Sequence, residues 1–590
     1  MRRIIKILIV ILMIGVVGCS DDYLEISDQN VLSPSQFPTN LEHLDLMLNA
    51  VYANQHSQGL YGMSYLGMTI YSLGNIQNMG WRNDNSRNQL ITHEADAGNA
   101  YAREAWRDLF RGIQQCNTFL DRSPVIRETL SNDSDRIRLD RMEGEIYFMR
   151  AWHYFMAESL FGETFIKDGQ GGEKMGLPII TTPGTSFEEM RVSRSTVRET
   201  WDFIISDLEK ADGLLADATD ETRVTTWAVK SFLGKVYVFT EDWNNATTYL
   251  KDVIDNSGKS LVDFSIYQEM FYESNFEKNS ESIFEISLKA KPGEGWGSWG
   301  PSVGTNSAMV FAPSFLTNSG GRASTGWGNS FPADENLTRF GFTLDPPTWV
   351  SNPDFNPDEP QGMNNYEEMP EEDFLIASRN LRDNKLADPR LWVSTRQAFE
   401  DSTAADGVWY RIWPQHETPW NEINGVQHAW SFNKYANKTR SEYNDNVQNG
   451  NNIYWLRLAD IYLLYAESLI NQGSDNTTAL EYINKVHRRA YGLPVDTPSA
   501  MDYTSLTDET LAQDPVLQNN PLRYERYVEL FAESHWWFDV CRWKIGAEEA
   551  AFHQTTSVGD IVWNDNIDYA LPIPIAEIEA NPNMEQNPGY

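Results

Sequence analysis

Trp455-Leu456-Arg457-Leu458-Ala459-Asp460-Ile461-Tyr462-Leu463-Leu464-Tyr465-Ala466-Glu467 carries two apolar stripes at once. Leu456, Ala459, Leu463, Ala466 and Ile470 recur at 3-4-3-4 spacing, and Leu458, Tyr462, Tyr465 and Leu469 form an adjacent stripe. Such spacing marks one face of a helix. A helix apolar on two faces packs between neighbours, as in a stacked array. Gly473 ends the run, and Ala479, Ile483, Val486 and Ala490 mark a returning helix.

A second pair lies upstream, over 222–255. Ala228, Phe232, Val236 and Phe239 fall on one helical face; after Glu241-Asp242, Trp243, Ala246, Leu250 and Val253 give another. Leu233-Gly234-x-x-Tyr237 followed by Ala246-x-x-x-Leu250 fits the tetratricopeptide pattern, with Lys230 in place of its first Trp. Further helices are predicted near 41–53, 99–121, 133–162 and 194–216, with a Gly/Asn-rich loop over 72–98. Residues 281–290 alternate like a strand. A long helix is predicted over 522–548 and an extended Pro-rich tail over 570–590. The fold expected is mainly α: a tetratricopeptide-like helix-pair scaffold with a large loop-rich insert. The parts are 41–290, an insert at 291–450 with short helices near 371–380, and 451–590. Long ordered loops of this kind usually carry function.

The chain begins with basic Arg2, Arg3 and Lys6, then an apolar run over 7–17, then Gly18-Cys19. These are the parts of a secretory signal, and the run is too short to span a bilayer. Cys19 directly after Gly18 looks like a bacterial lipobox. Residues 1–18 therefore read as a lipoprotein signal peptide, Cys19 as the lipidation site, and 19–40 as a lipidated tether. A net charge of −37 disfavours nucleic acid, because phosphates repel it. Cys116 and Cys541 sit in helical patterns and read as buried small hydrophobes.

Gly295-Trp296-Gly297-Ser298-Trp299-Gly300 spells a dinucleotide fingerprint, but Pro301 continues a loop where a helix is required, so it reads as a loop presenting Trp296 and Trp299. Asp354-x-Asn356-x-Asp358 starts like a calcium loop, yet Glu359 replaces the Gly and Asn365 the bidentate Glu, which makes it a solvated acidic loop. There is no H-E-x-x-H and no G-x-S-x-G. His487 and His535 read as structural. Arg526/Glu529 and Asp539/Arg542, three apart, read as structural ion pairs. No catalytic residue, metal site or cofactor is expected. A surface glycoside hydrolase would need two carboxylates facing one cleft, and none stands out.

Nine of the 20 Trp fall between 296 and 430. Trp in loops rather than in helices is what a stacking surface for a ligand needs, and Asn, Asp and Arg beside it supply hydrogen bonds. Trp81, Arg82, Asn83 and Asp84 have this mixture; with Trp296, Trp299 and Trp327 they are the candidate ligand-binding residues. Trp106, Trp152, Trp201, Trp243, Trp455, Trp537 and Trp543 lie in helical patterns and read as packing.

Taken together these blocks resemble the SusD/RagB-like nutrient-binding outer-membrane lipoproteins of Bacteroidetes. The resemblance is carried by Trp106-x-x-Leu109-Phe110-x-Gly112-Ile113-x-x-Cys116-Asn117, Gly144-Glu145-x-x-Phe148-x-Arg150-Ala151, the 455–467 run, and Leu571-Pro572-Ile573-Pro574 through Gln586-Asn587-Pro588-Gly589-Tyr590. Ser534 stands where the family usually has Gly, and Trp536 where it usually has Arg. The resemblance implies a non-catalytic protein that caps a SusC-like TonB-dependent outer-membrane transporter and captures glycans, or sometimes peptides. Ser20-Asp21-Asp22 resembles the acidic signal that sends such lipoproteins to the cell surface.

Overall fold

In the computed structural model, residues 37–590 are described apart from 75–76, 80–83, 185, 273, 290–313, 317–321, 325–329, 360–364, 366, 406–407, 413–427, 429, 437–448 and 557. The signal, Cys19 and most of the tether lie outside the described residues. The chain starts with α1 (Leu41–Asn54), whose Asn40 side chain accepts from the His43 amide and whose Leu44, Leu48 and Val51 are buried. A short strand β1 (Gln77–Met79) and α2 (Asn85–Thr92) follow. The stretch expected to be a loop over 72–98 therefore holds a helix, started by an Asp84 cap rather than by an apolar stripe. Next come α3 (Ala100–Thr129), α4 (Asp133–Phe161) and α5 (Val197–Leu214), the last opened by a Thr196/Glu199 capping box. The first helical pair is α6 (Thr226–Phe239) and α7 (Trp243–Asn256). Strand β2 (Ser282–Ile286) leads into the insert, and β3 (Ser330–Pro332) lies within it.

The described part of the insert holds α8 (Asp334–Arg339), α9 (Glu372–Asp383), α10 (Arg390–Ser394), β4 (Thr395–Arg396) and β5 (Ser431–Phe432). After it, β6 (Ile453–Arg457) runs into α11 (Leu458–Gln472), which turns at left-handed Gly473 into α12 (Asn476–Ala490). The chain closes with α13 (Pro521–Glu529), α14 (Trp536–Trp543), α15 (Gly546–His553) and α16 (Ile575–Ala580).

The helices α4, α5, α6, α7, α11 and α12 pack in that order, each against the next. This is the stack that the two-faced α11 requires: α7 covers one stripe and α12 another. Gly234 marks the closest approach within the first pair, since a Cβ there would lie 2.5 Å from Leu250 Cδ2. Trp455 and Leu456 belong to β6, not to the helix. β6 pairs antiparallel with β2, Ile453 opposite Ile286, and all five of its residues are buried. Sheet pairing with a segment about 170 residues away overrides the helical spacing that Leu456 satisfies.

The helix expected over 522–548 is three helices. The chain breaks after Glu529 and passes through Ala532 (φ 62°) and Ser534 (φ 66°), both left-handed, which no Gly announces. The tail is likewise not wholly extended, because α16 interrupts it. Arg526 and Glu529 share α13 but join different networks. Arg526 pairs with Asp460 at 2.9 Å and Asp539 at 2.8 Å, while Asp539 and Arg542 do pair, at 2.8 Å. Trp536 donates its indole N–H to Glu549 at 3.0 Å. The guanidinium beside it comes from Arg339 on α8, which pairs with Asp514 and Glu549 and lies over the Tyr527, Trp536 and Phe552 rings.

Glu281, Glu529 and Glu533 converge on Arg457, at 2.8, 2.6 and 2.7 Å, with all four side chains at most 1% exposed. Arg489 also binds Glu281 and Glu529; Arg390 joins Asp388, Glu525 and Glu529; Lys434 closes on Glu533. This buried lattice ties β6, α12, α13 and the insert together. His487 lies 2.8 Å from Glu525, and His535 is 3.1 Å from Lys235, both in structural positions. Cys116 and Cys541 are buried and free.

The tail docks on the N-terminal half. Asn581 and Asn583 donate to the carbonyls of Val192 and Arg191, Asn587 to those of Phe161 and Leu571, and Arg194 to that of Glu585.

Candidate ligand-binding site

Trp81, Arg82, Asn83, Trp296, Trp299 and Trp327 lie outside the described residues. The strands that flank them are described. β1 pairs antiparallel with β3, Met79 opposite Ser330, so the segments bearing Trp81 and Trp327 are joined to the same end of one ladder. Asp84 is described, and its carboxylate is occupied. It accepts from the Arg87 amide at 3.1 Å as the cap of α2 and from the Tyr101 hydroxyl at 2.6 Å. Of the Trp residues read as packing, Trp106, Trp152, Trp201, Trp455 and Trp537 are buried. Trp243 and Trp543 are only partly buried.

A cavity of about 360 Å³ opens where the insert meets the scaffold. Its wall includes Tyr272, Arg382, Trp392, Arg396, Asp401 and Asn433. Arg382 lies over the Trp392 ring and pairs with Asp401 at 3.0 Å; Arg396 donates to Asn433 Oδ1 at 2.7 Å. Burial pulls the Arg396 guanidinium down to about 10, so it is still charged at neutral pH. Aromatic faces beside a few fixed polar groups suit a polyol or sugar ring. Sequence reasoning pointed to the insert but missed these residues. Tyr272 comes from the scaffold, and no spacing links it to Trp392. Among the described residues there is no cluster suited to a metal ion, and no helix is long and apolar enough to cross a membrane. Asn356 and Asn365 bond to each other in an exposed loop.

Comparison with known proteins places this architecture. A sequence model described as "Starch-binding associating with outer membrane" matches residues 22–238. The SusD-like protein P2 of Formosa agariphila is 22% identical over 594 residues, covering 99% of each chain. A SusD-like protein of Bacteroides ovatus is 24% identical over 284 residues, 46% of this chain and 47% of that one. Among solved structures, a "Laminarin binding SusD-like protein" superposes with a TM-score of 0.64 at 20% identity, over 94% of this chain and all of that one. A SusD-like protein from Bacteroides fragilis gives 0.66 at 19%, over 93% and 97%. A surface glycan-binding protein A from Bacteroides fluxus gives 0.64 at 18%, over 94% and 100%. At these identities the superpositions show a shared fold. The model of the SusD family matches residues 280–590, more than half the chain, and on that ground the protein belongs to the SusD family.

Proposed function

We propose that this protein is a cell-surface lipoprotein, anchored in the outer membrane through Cys19, that binds a nutrient glycan and passes it to a SusC-like TonB-dependent transporter. The observation that carries the reading is membership of the SusD family, joined to a Trp-rich insert set on a rigid helical stack. Structural neighbours named for laminarin and surface-glycan binding support a saccharide ligand. The protein works by capture, without catalysis. Glu281, Glu525, Glu529 and Glu533, four buried carboxylates of the body, are each held by Arg, Lys or His. In this reading 41–290 and 451–590 form the frame and 291–450 presents the ligand-binding face with Trp81. No cofactor takes part.

The test is calorimetric titration of a glycan panel and a peptide mixture. Trp81→Ala, Trp296→Ala and Trp299→Ala are each expected to weaken the bound glycan by about tenfold or more, with an unchanged melting temperature. Asp84→Ala is expected to do the opposite: binding preserved, and about 1 kcal/mol of stability lost with the α2 cap. Equal melting losses in all four variants, or binding of peptides in place of glycans, would reject the assignment. Sugar turnover by the purified protein would reject the non-catalytic reading.

A further inference from the structure

A second cavity, about 200 Å³, lies on the scaffold rather than in the insert. It is bounded by Glu241 and Trp243 at the α6–α7 turn, Asn471 on α11, Asn520 and Arg523 at the start of α13, and Trp543 at the end of α14. The charges around it are unequally satisfied. Arg542 is saturated, by Asp539 at 2.8 Å and by Glu467 through both terminal nitrogens at 2.5 and 2.7 Å. Glu467 also accepts from the Trp543 indole N–H at 2.8 Å. Lys167 is paired with Glu241 at 3.6 Å. Arg523 is different. Its backbone amide binds the Asn520 cap, but its guanidinium makes no hydrogen bond or ion pair among the described residues. It is held over the Trp543 ring at 5.1 Å, partly buried, and desolvation pulls its pKa below the ordinary value. The fully buried Arg339, Arg390, Arg457 and Arg526 each have a carboxylate partner. Glu467 acts favourably on the Arg523 charge from the same wall, but no carboxylate makes the paired hydrogen bonds that a guanidinium fork can take, and a ligand can make them.

The other walls specify the ligand's shape. Trp543 carries Arg523 and Arg542 on its ring, so it positions cations instead of stacking a ligand. Trp243 is partly buried beside the opening, and its indole N–H donates to no protein atom among those described. Asn471 and Asn520 add amide groups. An aromatic face, amides and one guanidinium fork match a sugar ring bearing one planar carboxylate. The volume lies below the usual range of about 300–1,000 Å³ for ligand sites, which favours a single ring over a chain. Glu241 and Glu467 on the walls disfavour more highly charged anions.

We propose that this cleft is a second saccharide site, selective for a uronic acid residue, with Arg523 binding the carboxylate and Trp243 covering the ring. None of its lining residues is one of the loop Trp candidates, so failure of the loop variants leaves it standing. The test titrates the detergent-solubilised full chain with D-glucuronate and D-glucose, following tryptophan fluorescence and heat. Glucuronate is expected to bind saturably at about millimolar concentration and at least tenfold more tightly than glucose. Arg523→Gln is expected to abolish that preference with an unchanged melting temperature, and Trp243→Leu to weaken both sugars. Equal binding of the two sugars, no saturable binding of glucuronate, or a preference that survives Arg523→Gln would overturn the proposal.

Discussion

Arg457→Met is expected to destabilise the folded protein by about 3–5 kcal/mol, the largest loss from any single polar substitution considered. The guanidinium separates Glu281, Glu529 and Glu533, none of which reaches solvent. Removing it leaves three carboxylates in an apolar interior with only Arg489, Arg390 and Lys434 between them. The cost is dominated by the uncompensated charges, not by the lost attraction. Arg457→Lys is expected to fall between, since a point charge replaces a fork that serves three partners. Urea midpoints against an Arg138→Met control give the comparison. Arg138 pairs with exposed Glu42, so its loss is expected to change little. Equal midpoints for Arg457→Met and the control would show that the lattice contributes no stability.

This lattice and the neighbouring Asp460–Arg526 network together predict a steep acid transition between about pH 4 and pH 2. Burial alone would raise the Glu525 carboxyl, but Arg390 and then His487 outweigh it and hold the group down to about 2. Asp460, facing Lys235, His535 and Arg526, and Glu529, facing Arg489, Arg457 and Arg390, are held well below the ordinary carboxylate range against the same opposing burial. A carboxyl with a depressed folded pKa stabilises the protein above its unfolded pKa of about 4 and loses that stabilisation as pH falls towards the folded value. In this window the unfolded chain binds protons at these three sites and the folded chain does not. Each contributes a slope of about 1.4 kcal/mol per pH unit, about 4 together, comparable over two units with the whole stability of a domain. Glu158 and Glu145, raised by burial, are protonated in both states below pH 4 and leave the slope unchanged. Near-ultraviolet circular dichroism against pH is expected to show one cooperative step taking up about three protons. A gradual loss with a one-proton slope would contradict the coupling.

The scaffold was legible because helical stripes record burial directly. Leu463, Ala466 and Ile470 face neighbours on α11, and Gly234 marks where Leu250 presses on α6. What escaped is structure set by distant partners. Leu456 keeps helical spacing with Ala459 yet lies in β6, because β2 claims its backbone. The 522–548 run kept its apolar character across a break made at Ala532 and Ser534. At Ser534 the family resemblance held the clue, since glycine is the usual residue there and the backbone is left-handed. Asp84 read as a ligand residue because a cap and a sugar ligand draw on the same side chains. Trp243 reads as packing, and it does pack, partly buried, against the core. It is also the first residue of α7, beside the turn. Arg523 gave no signal at all: an unmatched charge becomes visible only after its neighbours are seen to be matched.

The docking of residues 581–587 onto the 161–194 segment bears on when the protein can fold. During synthesis the early helices emerge first, yet the carbonyls of Phe161, Arg191 and Val192 receive these donors only once the last residues have been made. The β2–β6 pair adds a similar delay, since Ile286 waits for Ile453. A ribosome-bound chain therefore holds its N-terminal half unfinished until translation is nearly over.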